Sequence, residues 1–154
     1  MFQARYFLLF YLFTTLIFCN FSFAEVVKTK EEERANYVIT NMQNDYIICY
    51  IFYKIGAESI RRSDGETDIV KGIEESADVS LKFAYETGEL MGMKSEIMST
   101  KVQLEMKKQS EYMQNDYNNA PKLLKKYSLL CKNLIQDKKE RIDFWEKKAL
   151  TKFK

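Results

Sequence analysis

Apolar side chains recur at steps of three and four residues along most of the chain, which is the spacing of one face of an α-helix. The sequence has no run of alternating apolar and polar residues between turn signals, as strands usually show. It also contains a single proline in 154 residues, so long helices meet few interruptions. The pattern predicts an all-α protein.

The first predicted helix extends from about Ala35 to Arg62 and is apolar on more than one side. A helix with so broad an apolar surface is expected to be the most buried one of its domain. Ser63, Asp64 and Gly65 form the turn that is predicted to end it. Its stripe consists of Val38, Met42, Tyr46 (or Asp45), Cys49, Tyr53, Gly56 and Ile60, widened by Ile47, Ile48, Ile51 and Ile55.

The second predicted helix begins near Thr67 and Asp68, which are good capping residues. Its small residues predict a close approach to a neighbouring helix around residues 80–88. The sequence leaves open where this helix ends. Gly92 suits the left-handed residue after a helix end, and Ser95 suits the cap of a third helix. However, apolar spacing continues beyond Gly92, as it would in one helix over residues 67–116. The small residues are Gly72, Ser76, Ser80, Ala84, Gly88 and Gly92, and the continuing apolar ones are Met91, Met98, Val102, Met106 and Met113.

The last predicted helix starts around Ala120 and Pro121, because the preceding Asn118 and Asn119 suit a cap and proline suits a first turn. The apolar spacing then predicts one helix that reaches the end of the chain. Its inner face consists of Leu124, Tyr127, Cys131, Leu134, Ile142, Trp145 and Ala149.

The first 24 residues have the plan of a secretory signal peptide. Arg5 is their only charge, residues 6–18 are apolar, and Ser22 and Ala24 place small side chains before a cut ahead of Glu25. We predict a signal peptide over residues 1–24, a flexible acidic segment over 25–34 and a helical bundle domain over 35–154. The composition is typical of an AT-rich, bacterial genome, so the expected location is periplasmic or secreted. The alternative is a protein anchored in the inner membrane by residues 6–24, which are just long enough to span it.

Two cysteines of the mature chain, Cys49 and Cys131, help to choose between the two architectures. An even number of cysteines in an exported chain favours a disulfide. One straight helix over residues 67–116 would be about 75 Å long, against about 42 Å for residues 35–62, and would carry Cys131 more than about 30 Å from Cys49. A disulfide requires Cα atoms within about 7 Å of each other. We therefore expect an antiparallel four-helix up-down-up-down bundle after an N-terminal signal helix. Three long helices, with residues 67–116 continuous, are the alternative.

The composition limits the chemistry that the chain can perform. Without residues 1–24 the net charge is (24 − 1) − 22 = +1, which gives no electrostatic case for nucleic acid or an anionic surface. The chain has no histidine, so it lacks the commonest general base and the commonest metal ligand. Phosphate-binding loops, nucleophile elbows and dinucleotide fingerprints are also missing. We expect no cofactor and no catalytic residue.

Three groups of side chains are candidate sites. The C-terminal residues Arg141, Phe144 and Trp145 are of types common at protein interfaces, although Trp145 also lies on the predicted inner face. Methionine sulfurs could bind Cu(I), but their helical spacing favours core packing. Acidic clusters have lysines at helical spacing, which favours an exposed, salt-paired face. The methionines are Met91, Met93 and Met98, and the acids are Glu74, Glu75, Asp78, Glu86 and Glu89.

The sequence favours an exported, non-enzymatic helical protein that binds a protein partner or an apolar ligand between its helices. One alternative is the membrane-anchored form, which is also the only form expected to contact a membrane. Another is a small enzyme that works through carboxylates alone and needs a cleft that holds two of them. Nucleic acid is not an expected partner.

Overall fold

The structure is a computed structural model, which describes residues 29–154. The predicted signal peptide, its cleavage site and residues 25–28 lie outside the described residues. Five α-helices account for most of the rest: α1 is Lys30–Asp64, α2 is Asp68–Leu90, α3 is Ser95–Tyr112, α4 is Ala120–Gln136 and α5 is Lys138–Lys152. A short 3₁₀ helix, Tyr117–Asn119, precedes α4. Residues 29–154 contain no strand, so the predicted all-α class is confirmed.

Helix α1 begins five residues earlier than predicted, so residues 30–34 of the predicted acidic segment are helical. Thr29 is the reason. Its hydroxyl accepts a hydrogen bond from the Glu32 backbone N–H at 3.2 Å, and the Glu32 carboxylate accepts one from the Thr29 backbone N–H at 2.9 Å. This reciprocal pair satisfies two donors that a helix start otherwise leaves open. The start of α2 agrees with the prediction, because Thr67 caps it by accepting from the Val70 N–H at 3.2 Å.

The predicted break between the second and third helices is confirmed, and the alternative of one helix over residues 67–116 is wrong. Helix α2 ends at Leu90, and Gly92 adopts a φ of +67°, which glycine reaches without the strain that a side chain causes. Ser95 is the first residue of α3 and not its cap. That position belongs to Lys94, whose side chain makes no capping hydrogen bond.

The prediction of one continuous last helix is wrong, because the chain breaks at Asp137. This residue has φ −145° and ψ 80°, which is not helical, and its carboxylate accepts a hydrogen bond from the Lys139 N–H at 3.0 Å. Asp137 thus ends α4 and caps α5. The described residues therefore contain five α-helices where four were predicted.

Helix α1 lies at the centre and contacts each of the other four helices, most extensively α2. Gln43 lies beside Ala84 and Arg61 beside Glu74, so α2 runs antiparallel to α1. The Gln109 side chain donates to the Ile48 carbonyl at 3.1 Å from α3. On a third side, Cys49 meets α4 and Asp45 meets α5. The buried residues of α1 accordingly point in all directions around its axis: Met42, Gln43, Asp45, Tyr46, Ile47, Cys49, Ile51, Phe52, Ile55 and Ala57.

The predicted disulfide is present in this structure. Cys49 of α1 and Cys131 of α4 are bonded, with their Cα atoms 5.2 Å apart and both side chains fully buried. The bond fixes the height of α4 along α1. Among residues 29–154, no helix is both long enough and apolar enough to cross a membrane.

Candidate ligand-binding groove

An apolar groove opens between α2 and α4, with α1 as its floor. Its volume is about 250 Å³. We call it the apolar groove and define it by its lining residues: Phe52, Tyr53, Ile55, Gly56, Ser59 and Ile60 of α1, Ile73 of α2, and Ala120, Pro121, Leu123 and Leu124 of α4. Ser59 and the Tyr53 hydroxyl are its polar side-chain groups, so the lining matches a hydrocarbon better than a polar ligand.

Gly56 gives the groove its depth. A Cβ atom built on Gly56 would meet no atom within 4 Å, so the absent side chain leaves space above the α1 backbone. The neighbouring wall begins with Pro121 in the first turn of α4. Since proline has no N–H, this helix start presents one backbone donor fewer to the groove. Leu124 completes the wall and is 51% exposed at the rim.

Tyr53 is the titratable group of the groove. Burial raises the pKa of its hydroxyl above the ordinary value of 10.0, since the phenolate loses hydration there. The hydroxyl is therefore neutral at physiological pH, and the lining carries no charge. An uncharged apolar pocket of this size is suited to binding an apolar ligand.

A second, polar concavity adjoins the groove at Ser59 and Pro121, which line both. It measures about 630 Å³ and lies beside the turn between α3 and α4. Two of its lining residues form a cation–π contact, in which the Arg62 guanidinium is 4.0 Å from the centre of the Tyr117 ring. Its other lining residues are Ser63, Asn115, Asp116 and Asn118.

The three predicted interface residues lie together, but two of them have partners within the chain. Arg141 donates to both carboxylate oxygens of Asp45, from Nε at 2.7 Å and Nη2 at 3.1 Å. The Trp145 indole N–H donates to the same carboxylate at 2.6 Å. Phe144 packs edge-on against Trp145 and remains 40% exposed. Sequence reasoning named Asp45 only as an alternative stripe position. A carboxylate within the apolar stripe of α1 was the signal that a buried cation lies opposite.

Two of the three candidate methionines contact a buried amide, whereas the Met91 sulfur accepts from the Thr40 hydroxyl at 3.3 Å. The Gln43 side-chain N–H₂ donates to the Met98 sulfur at 2.8 Å and to the Met93 sulfur at 3.4 Å, and Lys101 donates to the Gln43 oxygen. Desolvation lowers the pKa of Lys101 below its usual value. An amide and an ammonium group beside the sulfurs make this a packed polar contact, which opposes the binding of Cu(I).

Two residues of the acidic clusters, Glu74 and Glu86, form salt bridges with cations. Glu74 accepts from Arg61 at 2.8 Å and from Lys54 at 3.3 Å, and the hydrogen bond from Arg61 is the largest cause of its lowered pKa. Glu75 and Asp78 are exposed. Within residues 29–154, no group of three or more aspartates, glutamates, histidines or cysteines is placed to hold a metal ion.

Comparisons with known protein families, with curated proteins and with solved structures find no match to this chain.

Proposed function

We propose that the protein is an exported, non-enzymatic binding protein that holds a single hydrocarbon chain in the apolar groove. The observation that carries this proposal is the open space above Gly56, enclosed on three sides by α1, α2 and α4. Each methylene that enters such a site contributes about 0.8 kcal/mol. Six to eight buried methylenes therefore contribute about 5–6 kcal/mol, and after the cost of association the expected affinity is no tighter than about the upper micromolar range.

A protein partner that inserts one apolar side chain into the same groove is the second candidate. The exposure of Leu124 at the rim favours it, because a partner surface would cover this residue as well. The predicted interface at Phe144 is a separate hypothesis, supported by the exposure of that ring.

Export is part of the proposal. The buried disulfide supports it, because such bonds form and persist in oxidising compartments, and the periplasm is the expected location. Intact mass with and without reduction and alkylation tests it. We expect a mature N-terminus at Glu25 and no thiol that reacts before reduction. A chain that keeps residues 1–24 would instead favour the inner-membrane-anchored alternative.

The four-helix topology is also kept as a proposal, with α4 and α5 acting together as the fourth, broken helix. Three contacts with α1 support this arrangement. Cys131 is bonded to Cys49, Arg141 contacts Asp45 and Phe153 contacts Arg34, so the chain from α4 to the end of α5 follows α1 towards its N-terminus.

Two matched glycine variants test the ligand proposal. Gly56 lies in the groove, whereas Gly72 lies on α2 outside its lining, and a Cβ at either position meets nothing within 4 Å. Titration with a fluorescent fatty acid is expected to show saturable binding to the native protein, and Gly56→Leu is expected to weaken it at least about tenfold by filling the groove. Gly72→Leu is expected to bind like the native protein. The proposal fails if the native protein does not bind the probe, or if the two variants bind it equally.

A further inference from the structure

The near-zero net charge conceals a separation of charge between two parts of the fold. Residues 120–154, which form α4 and α5, carry 11 Lys and Arg against 4 Asp and Glu, a net charge of +7. Residues 29–119 carry 11 against 17, a net charge of −6. A net charge of the whole chain therefore says little about what either side attracts, because electrostatic attraction at short range depends on local charge.

Helix α4 carries the most one-sided charge. It contains four lysines and no acidic residue over Ala120–Gln136. Lys122, Lys125, Leu129 and Lys132 follow one another at steps of three, four and three residues, so they form one stripe along the helix. All four are exposed, and Leu129 is the most exposed apolar residue of α4, at 72%. We call these four residues the basic stripe.

The opposite side of α4 is fixed to the protein. Leu123, Tyr127, Cys131 and Leu134 are buried there, and the disulfide ties Cys131 to α1. The basic stripe is thus presented outward by an immobilised helix of about 25 Å. Solvation alone explains the exposed lysines. Leu129 adds an apolar side chain, 72% exposed, in the middle of them.

We propose that the basic stripe docks the protein on the surface of a bilayer that contains anionic phospholipids. Lysines along one helix face attract anionic headgroups, with each contributing about fivefold to the affinity, and a central leucine can enter the headgroup–acyl boundary. This inference does not depend on the apolar groove or on the fate of residues 1–24. It departs from the expectation that only an uncleaved N-terminal helix would bring the protein to a membrane.

Leu129 favours a bilayer over the other anionic partners. A nucleic acid backbone offers lysines a phosphate but offers a leucine among them no apolar partner. A second copy of the chain is a more serious competitor, since the outer side of α2 exposes Glu75, Asp78 and Glu89. That face also contains Lys71 and Lys82, both exposed, which weaken its attraction for the stripe.

Vesicle co-sedimentation tests the proposal on the protein as purified. Vesicles of equal parts phosphatidylglycerol and phosphatidylcholine are compared with vesicles of phosphatidylcholine alone. Both kinds of vesicle meet the same N-terminus, so the difference between them isolates the charge-dependent binding. We expect binding to the anionic vesicles only, and we expect it to disappear at 1 M salt, where the screening length is about 3 Å.

A matched pair of triple variants locates the surface. Replacing Lys122, Lys125 and Lys132 by glutamine is expected to weaken binding about a hundredfold, at about fivefold for each lysine. The control replaces Lys71, Lys82 and Lys107, which are exposed on α2 and α3. It makes the same change in net charge and is expected to leave binding within about threefold.

Leu129→Gln keeps every charge and is expected to weaken vesicle binding about fivefold to tenfold, because the apolar contact is lost. Replacing the three lysines by arginine is expected to preserve binding, which separates charge from any loss of structure. The proposal is overturned if both glutamine triples weaken binding equally, if neutral vesicles bind as well as anionic ones, or if light scattering shows a salt-sensitive dimer without vesicle binding.

Discussion

At the scale of single residues, Gly88 sets how closely α2 approaches α1. A Cβ atom at this position would lie 2.6 Å from the Met98 sulfur and 2.7 Å from the Gln43 nitrogen. Met98 is almost fully buried and Gln43 is fully buried, so neither side chain has free space to move into. The small side chains of Ala77, Ser80 and Ala84, also buried, continue this close contact along α2.

Gly88→Ala is therefore expected to lower the free energy of unfolding by about 1–3 kcal/mol, the usual cost of overpacking a filled core. Gly72→Ala is the matched control, because a Cβ there meets nothing within 4 Å. In a helix interior this control is expected to raise stability by about 0.5–1 kcal/mol. Urea unfolding of both variants measures the two effects. Equal changes in the two variants would show that Gly88 is not tightly packed.

The sequence predicts this close contact but not the polar group inside it. The row of small residues over 80–88 is visible in the spacing alone. Gln43 is not, because the groups around it come from three separate segments: Ala84 of α2, Met93 before α3, and Met98 and Lys101 of α3. The pairing of a buried polar side chain with such partners depends on the tertiary arrangement and leaves no local pattern.

At the scale of elements, Asp45 fastens α5 to the central helix. Its carboxylate is 5% exposed and accepts from Arg141 twice and from Trp145 once, while the Arg141 side chain is 23% exposed. Helix α5 has Ala149 as its one buried residue, with Ile142 and Trp145 partly buried against the core, so few apolar side chains hold it in place. The stability of α5 thus depends on this charged contact.

Asp45→Asn is expected to lower the free energy of unfolding by about 2–4 kcal/mol. The substitution leaves the Arg141 cation mostly buried without its counter-charge, and such a loss is costly. Glu86→Gln is the control, since Glu86 forms an exposed pair with Lys82 at 3.8 Å and is expected to change stability by less than about 0.5 kcal/mol. Urea unfolding and near-ultraviolet dichroism of Trp145 report the result. If the Asp45→Asn variant proves as stable as the control, this role for Asp45 is contradicted.

Helix ends were predictable where one residue decides them and were missed where two patterns compete. Gly92 marks the end of α2 because a left-handed conformation follows there. Asp137 was missed because the apolar spacing before and after it fits a single helix. The available signal was a gap in the inner face between Leu134 and Ile142, where the positions at helical spacing are occupied by Lys138 and Arg141. The Thr29–Glu32 capping box was likewise visible in the sequence, but the acidic run was interpreted as the approach to a later start.

At the scale of the whole molecule, the position of α1 at the centre explains the apolar groove. Three groups of helices surround α1, namely α2, α3 and the α4–α5 pair. The groove is the space between α2 and α4. The breadth of the apolar surface of α1 predicted its burial. It could not predict this groove, because the distance between α2 and α4 is a tertiary feature, and the open space above Gly56 leaves no signal in the apolar periodicity.

The disulfide is expected to be a major contribution to the stability of this arrangement. It closes a loop with a sequence separation of 82, and in the chain-entropy model a loop of this length stabilises the native state by about 4 kcal/mol. Because both cysteines are fully buried, a reductant is expected to act only when the protein unfolds. Replacing Cys49 and Cys131 by alanine together is expected to lower the free energy of unfolding by about 4 kcal/mol or more, since two small cavities add to the loss.

Urea unfolding with and without dithiothreitol tests this prediction on both proteins. The midpoint of the native protein is expected to fall in dithiothreitol towards that of the Cys49→Ala, Cys131→Ala variant, whereas the midpoint of the variant stays unchanged. The affinity for the fluorescent fatty acid is expected to fall together with the stability. Leu123 and Leu124 line the apolar groove, and they belong to the helix that Cys131 holds against α1. A variant with native stability would show that packing alone sets the height of α4. A stable variant that also binds the probe normally would show that the groove does not need the bond.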